Sequence, residues 1–128
     1  MDRPVPRRVL LCRLDPSLQA ELSKALSNAA LDVSVIICKE YEECPGHVKP
    51  DTTNIVFCPV SSNLGELVAS LNSDVPVIVV SRVPDTREWI WAMENGACDY
   101  CAPPFETSQL EWILTGAEHG NPVLQAGA

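Results

Sequence analysis

The stretch "VPVIVVS" at residues 75–81, together with "AMENGACDYCAPPF" at residues 92–105, decides the fold of this chain. The first segment is a continuous apolar run of strand length that ends in the hydroxyl of Ser81. In the second segment, Gly96 follows a helical pattern and "CDYCA" predicts a short strand. An apolar strand followed by a helix and another strand is typical of a parallel sheet that helices cover on both faces.

The rest of the chain repeats this alternation. The predicted strands lie at residues 8–12, 32–38, 54–60, 75–81 and 98–102. The predicted helices lie at residues 16–30, 64–73, 84–96 and 107–120. The polar segment 39–50, which contains Pro45 and Gly46, is predicted to be a loop or a short helix. We therefore predict an α/β fold, a flavodoxin-like three-layer sandwich with five parallel strands in the order 2-1-3-4-5.

Composition and charge limit the function. The 128 residues are 46% apolar, which is enough for one domain with one core. The formal net charge is −8, from 17 acids and 9 bases, which disfavours nucleic acid as a partner. With neither a signal peptide nor an apolar run of bilayer length, we expect a cytoplasmic protein without a membrane partner. Residues 1–7 are expected to be a disordered tail, 8–119 the domain, and 120–128 a tail or linker.

From Arg8 to Leu114 the chain resembles the receiver domain of bacterial two-component response regulators, the CheY-like domain of phosphorelay signalling. Receivers typically carry Gly-Ala-x-Asp-Tyr and then Lys-Pro-Phe in this region. The residues that fit this pattern are Gly96, Ala97, Asp99, Tyr100, Pro104 and Phe105. The resemblance implies the fold predicted above, and in a typical member it also implies Mg²⁺-assisted phosphorylation of an aspartate.

The family's chemical groups are replaced in this sequence. Arg13 and Leu14 stand where the family has the two acids that hold Mg²⁺, and Pro59 stands at the phosphoacceptor aspartate. Pro103 replaces the family's lysine, whereas Ser81 keeps the hydroxyl that follows the fourth strand. Hard Mg²⁺ requires carboxylate oxygens, and proline has no nucleophile. We predict a degenerate phosphorylation site and a non-enzymatic pseudo-receiver that needs neither a metal nor a cofactor.

Three polar residues near these positions could in principle replace the missing metal ligands or the phosphoacceptor. Asp15 is one position beyond the missing acids and is expected to cap the first helix. Ser61 and Ser62 offer hydroxyls in a loop that is shorter than the family pattern. A regulator that is still phosphorylated, on an unrecognised acceptor, is therefore the weakest of three alternatives.

The six cysteines are expected to be reduced, with Cys12, Cys58 and Cys101 as core residues. Cys98 and Cys101 have the C-x-x-C spacing of a redox pair or half a metal site. The alternative function is therefore a thiol- or metal-dependent sensor that uses these two residues. A looser set in the polar segment lacks a fourth ligand and is a weaker metal candidate; it comprises Cys38, Cys44 and His47.

The segment "EWIWAMENG" holds more large side chains than one buried helical stripe can use. Ile90 is expected to point inward, whereas Trp89 and Met93 share another face. With Tyr100 and Trp112 they form a predicted interaction face on helix 4, strand 5 and helix 5. This face would bind a protein partner or a second copy of the chain as a homodimer. The alternative is that the Trp rings cover the helix flank locally.

Overall fold

The computed structural model describes residues 7–28, 31–50, 52–61, 63–71 and 75–118. One parallel sheet has the strand order β2-β1-β3-β4-β5, which confirms the prediction. Its strands are β1 (Arg7–Cys12), β2 (Val33–Cys38), β3 (Thr53–Pro59), β4 (Val77–Val80) and β5 (Asp99–Cys101). The helices are α1 (Pro16–Leu26), α2 (Cys44–His47), α3 (Leu64–Ser70), α4 (Thr86–Glu94) and α5 (Thr107–Glu118). None of these helices is long and apolar enough to cross a bilayer.

Two layers of buried side chains lie on the two faces of the sheet, because successive strand residues point to opposite faces. In β1, Val9 and Leu11 belong to the layer that α1 and α5 cover. Leu10 and Cys12 belong to the layer on the other face, which α3 and α4 cover. Strand β4 and residues 55–58 of β3 are buried on both faces, which explains their continuous apolar sequence.

Helix α1 begins as its sequence predicts. The Asp15 carboxylate accepts a hydrogen bond from the backbone N–H of Leu18 at 2.9 Å, and Pro16 occupies the first turn. Leu18, Leu22 and Leu26 are all buried. The helix ends earlier than residue 30, at Leu26, where the Ser27 hydroxyl donates to the carbonyl of Lys24 and competes with the helical pattern.

The edge strand β2 is only partly covered, with Ile37 exposed. The segment that follows it is a 3₁₀ turn at Tyr41–Glu43 and the single-turn helix α2, in agreement with the predicted short helix. The predicted N-terminal tail is one residue too long, because Arg7 already pairs with Val33 in the sheet. Residues 1–6 and 119–128, which include the rest of both predicted tails, lie outside the described residues.

Gly96 ends α4 in the way its position predicts. Its φ is +99°, a left-handed conformation that favours glycine. A Cβ at this position would lie 2.9 Å from Cγ1 of Val68 on α3. The tight approach lets the chain turn directly into β5.

Candidate functional site at the carboxyl ends of the strands

The parallel sheet brings all five residues of the predicted degenerate site to one edge, because the carboxyl ends of parallel strands meet there. Pro59 ends β3, and the other four residues lie just after β1, β4 and β5: Arg13, Leu14, Ser81 and Pro103. The peptide bond between Pro103 and Pro104 is cis.

The two residues that follow β1 point away from a metal-binding position. Leu14 is buried in the core layer under α1. Arg13 has a φ of +55°, and its Nη1 donates to Oε2 of Glu40 at 2.9 Å. The guanidinium also lies over the ring of Tyr41, with its carbon 5.6 Å from the ring centroid. Arg13 is therefore held against the segment between β2 and α2.

Asp15 is engaged on both carboxylate oxygens. Beyond its capping hydrogen bond, it accepts from Nη2 of Arg82 at 2.8 Å and 2.9 Å. The backbone N–H of Leu18, and secondarily the Arg82 guanidinium, lower the pKa of this carboxyl below its ordinary value. Asp15 is thus the predicted cap of α1, and its carboxylate also forms an ion pair with the guanidinium of Arg82.

Pro59, at the end of β3, has no polar side chain, and the first side-chain hydroxyl after it is that of Ser61 in the following loop. Pro59 is half-buried and has no side-chain donor or acceptor. The Ser61 hydroxyl accepts from the backbone N–H of Asn63 at 3.1 Å, a local turn that leads into α3. Ser62 lies outside the described residues.

Ser81 and Tyr100 are connected by a residue that the sequence-based prediction did not include. The buried Ser81 hydroxyl lies 2.8 Å from Oε1 of Glu88 and 3.0 Å from the carbonyl of Val83, which share its one proton. The Tyr100 hydroxyl donates to the same Oε1 at 2.8 Å and accepts from the backbone N–H of Asp85 at 3.3 Å. Burial, with a contribution from the Glu88 charge, raises the pKa of the Tyr100 phenol.

A sequence signal for Glu88 existed. Asp85 caps α4 by accepting from the N–H of Arg87, and Glu88 is three residues after Asp85, the position whose side chain commonly turns back toward the cap. In the folded chain its carboxylate reaches past the cap to Ser81 and Tyr100 instead.

The cysteines differ from the prediction. Cys12 and Cys44 form a disulfide, whereas all six cysteines were expected to be reduced. The Sγ atoms of Cys12, Cys38 and Cys44 lie within 4.8 Å of one another, so the metal candidate in the polar segment gains Cys12 as a member rather than His47. Across the described ranges, this is the group of three or more metal-ligating side chains that the fold assembles.

Cys98 and Cys101, the pair of the alternative sensor hypothesis, are both free thiols. Cys98 is half-buried, whereas Cys101 is a buried core residue as predicted. Burial raises the pKa of both thiols, that of Cys101 to about 12, and the neighbouring Asp99 charge adds to the effect. A raised thiol pKa leaves little thiolate, which disfavours a nucleophilic or redox-active pair.

The predicted interaction face is partly exposed. Trp112 on α5 is 56% exposed, and Trp89 and Tyr100 are half-buried. Met93 is half-buried and packs against the core layer under α4. Ile90 was expected to point inward, but it is 46% exposed, because Ala92 and Glu88 occupy the inward stripe of this helix.

Solved structures with this fold are numerous. A two-component response regulator from Clostridium difficile matches with a TM-score of 0.67 and 13% identity, over 88% of this chain and 96% of that one. The beryllofluoride-activated NtrC4 receiver domain dimer matches with a TM-score of 0.67 and 19% identity, over 88% and 96%. The pilus assembly protein CpaE from Caulobacter crescentus matches with a TM-score of 0.62 and 18% identity, over 86% and 92%.

No protein-family model matches the sequence, and no curated protein matches it. The likeness to these structures is therefore one of fold. The five-stranded order and the helices on both faces are those of the CheY-like flavodoxin fold, as the sequence predicted.

Proposed function

We propose that this chain is a receiver-like protein-interaction module of bacterial two-component signalling that acts without being phosphorylated. The observation that carries this proposal is the side-chain content of the strand-end edge. A phosphorylated receiver needs acids that hold Mg²⁺ and a carboxylate nucleophile, and this edge presents Arg13, Leu14 and Pro59 at those positions. The fold shared with response regulators supports the receiver part of the proposal.

The electrostatics of the edge also oppose Mg²⁺ binding. The carboxylate nearest the missing acids, Asp15, is neutralised by Arg82, and the Arg13 guanidinium, itself paired with Glu40, offers no ligand to a dication. Pro103 offers no ammonium to pair with a phosphoryl group. Metal-assisted phosphoryl transfer therefore lacks its acceptor, its metal site and its charge clamp together.

The hydroxyl network around Glu88 gives the module a fixed surface. Ser81 and Tyr100 both bind the Glu88 carboxylate, so the segment between β4 and α4 is tied to β5 by groups of the protein itself. No bound phosphoryl group is needed for this arrangement. We infer that α4 and β5 present one constant surface to a partner.

The interaction face lies on α4, β5 and α5, at the edge of the sheet opposite β2. Its exposed apolar side chains are Ile90 and Trp112, and Trp89 and Tyr100 are half-exposed. Large apolar and aromatic side chains on a surface are typical of protein contacts. The partner we favour is a second copy of the chain, and the NtrC4 receiver with the same fold was solved as a dimer.

The net charge of −8 supports a protein partner over nucleic acid, and we place the module in the cytoplasm, where two-component signalling takes place.

The test is incubation with acetyl phosphate and Mg²⁺, followed by intact mass measurement beside a phosphorylatable receiver domain. We expect an unchanged mass for this chain and a gain in the control domain. A gain of one phosphoryl group would overturn the proposal. The variants Asp15→Asn, Ser61→Ala and Ser81→Ala would then test the candidate acceptors of this edge one by one.

A further inference from the structure

We propose that Cys12, Cys38 and Cys44 form a binding site for one thiophilic metal ion of the zinc(II) and copper(I) class, available when the Cys12–Cys44 disulfide is reduced. The inference is independent of the proposed function. It replaces the expectation, drawn from the sequence, that the chain holds no metal.

The fold brings the three thiols together from three separate elements. Cys12 and Cys38 end the neighbouring strands β1 and β2 and are register partners in the sheet. Cys44 begins α2, which lies against β1. The backbone N–H of Arg13, which follows Cys12, donates to the carbonyl of Cys38 at 3.3 Å and holds the two strand ends in this register.

The spacing of the sulfur atoms suits a shared ion. A metal–sulfur bond is about 2.3 Å long, so three thiolates on one ion lie about 4 Å apart. The three Sγ atoms all lie within 4.8 Å of one another. Two of them, those of Cys12 and Cys44, are bonded in the oxidised state, so reduction must first free them to separate to the distance that an ion between them requires.

The donor set selects the class of metal. Three sulfur ligands in a buried position favour soft ions such as copper(I) and zinc(II) over Mg²⁺ or Ca²⁺, which prefer oxygen. The three side chains are between 0% and 1% exposed, so water competes poorly for the ion. Copper(I) can be satisfied by two or three thiolates, whereas zinc(II) would add a fourth ligand from solvent or from the neighbouring segment.

Binding is coupled to protons and to electrons. Reduction of the disulfide takes two electrons and two protons, either from a dithiol that itself becomes a disulfide or from a phosphine and water that become a phosphine oxide. The metal ion then displaces one proton from each thiol that it binds. Because each bound thiol loses a proton, affinity should increase with pH. The disulfide and the ion exclude each other because they use the same sulfur atoms.

The same site has a structural consequence. Helix α2 has a single turn, too short to be stable by its own hydrogen bonds. A link from Cys44 to the strand ends holds it on the sheet, through the disulfide in the oxidised state and through the ion in the reduced state.

The experiment uses the full chain, reduced with a phosphine under anaerobic conditions and titrated separately with Zn²⁺ and with copper(I). Native mass spectrometry and competition with a chromophoric chelator measure stoichiometry and affinity. We expect one ion per chain in at least one of the two titrations, at least a tenfold loss of affinity in Cys38→Ser, and no binding without reductant.

Cys58→Ser is the matched control. Cys58 is a free, buried cysteine in the same core layer, on the neighbouring strand β3, and its loss should leave binding unchanged. Cys38→Ser retains the Cys12–Cys44 disulfide, so circular dichroism of its oxidised form reports whether it folds; Cys44→Ser is a second variant. Absence of binding of both ions, or equal binding in wild type, Cys38→Ser and Cys44→Ser, would overturn the proposal.

Discussion

The guanidinium of Arg82 pairs with the carboxylate of Asp15, with Nη2 at 2.8 Å from Oδ1 and 2.9 Å from Oδ2. Arg82 follows β4 and Asp15 follows β1, and the strand between them in the sheet is β3, which ends in Pro59. The ion pair therefore links the segments that follow the two strands flanking β3. The charge of the Asp15 carboxylate is thereby paired with a side chain of the protein itself.

Substitution of Asp15 separates its two roles. Asp15→Ala removes both the cap and the ion pair, whereas Asp15→Asn keeps an oxygen that can cap α1 and loses the charge. We expect a lower Tm for both variants and the larger decrease for Asp15→Ala. Thermal melts by circular dichroism measure the order; equal melting of wild type and Asp15→Ala would contradict the capping role.

The stability contributed by Asp15 should depend on pH in a defined direction. Its pKa is lowered in the folded state, so the contribution is present above the unfolded pKa of about 3.9 and is lost as the pH falls through the folded value. Urea unfolding between pH 6 and pH 2 should therefore show a steeper loss in wild type than in Asp15→Asn.

Tyr100→Phe tests the network around Glu88. The change removes the hydroxyl that donates to Glu88 and accepts from Asp85, and we expect a loss of about 1 kcal/mol in the free energy of unfolding. Glu88→Gln should cost a similar amount because it weakens the contacts with both hydroxyls. Denaturant unfolding at pH 7 measures both; if Tyr100→Phe unfolds like wild type, the network does not hold the β4–α4 segment.

The raised pKa of Tyr100 adds a second readout. A folded-state pKa above the ordinary value near 10 means that the contribution to stability is present below that pH and is lost as the pH rises through the folded value. The difference spectrum of phenolate absorbance between wild type and Tyr100→Phe should show a titration midpoint above 10. A midpoint at or below 10 would contradict the burial of this hydroxyl.

Asp99→Asn should stabilise the chain at neutral pH. Asp99 is buried at the start of β5; its Oδ1 accepts from the N–H of Tyr100, while Oδ2 has no partner among the described residues. Burial raises the pKa of Asp99, so its contribution is greatest below the unfolded pKa and falls as the pH rises through the folded value. We expect a gain on the order of 1 kcal/mol at pH 7, measured by denaturant unfolding, and no gain at pH 3.

Trp112→Glu and Ile90→Glu test the interaction face. Both side chains are exposed, so the fold should survive while self-association weakens about tenfold or more, since burial of one such side chain contributes roughly 1.5–3 kcal/mol. Ile37→Glu is the matched control, because Ile37 is similarly exposed on the opposite edge strand β2. Sedimentation velocity measures association; unchanged association in both variants would place the interface elsewhere.

Much of the fold could be predicted from local patterns. The apolar runs and the leucine spacing of α1 depend on residues close together in the chain, and so does the Asp15 cap, which the structure confirms at Leu18. The identities of Arg13, Leu14 and Pro59, on which the predicted loss of phosphorylation chemistry depends, are also given by the sequence itself.

Other features depend on how distant segments meet. The β1–β2 register places Cys38 beside Cys12 although 25 residues separate them, and α2 then adds Cys44. The weak metal candidate drawn from the spacing of Cys38, Cys44 and His47 could not include Cys12, because Cys12 is distant from them in the chain. On α4, Glu88 faces the sheet because its carboxylate accepts hydrogen bonds from Ser81 and Tyr100 there. Ile90 lies on another side of the helix and is exposed. Local sequence thus determined the strands and most of the helix bounds, whereas only the packing of strands and helices decided which thiols and which carboxylate find partners, since those partners come from segments with no fixed spacing in the chain.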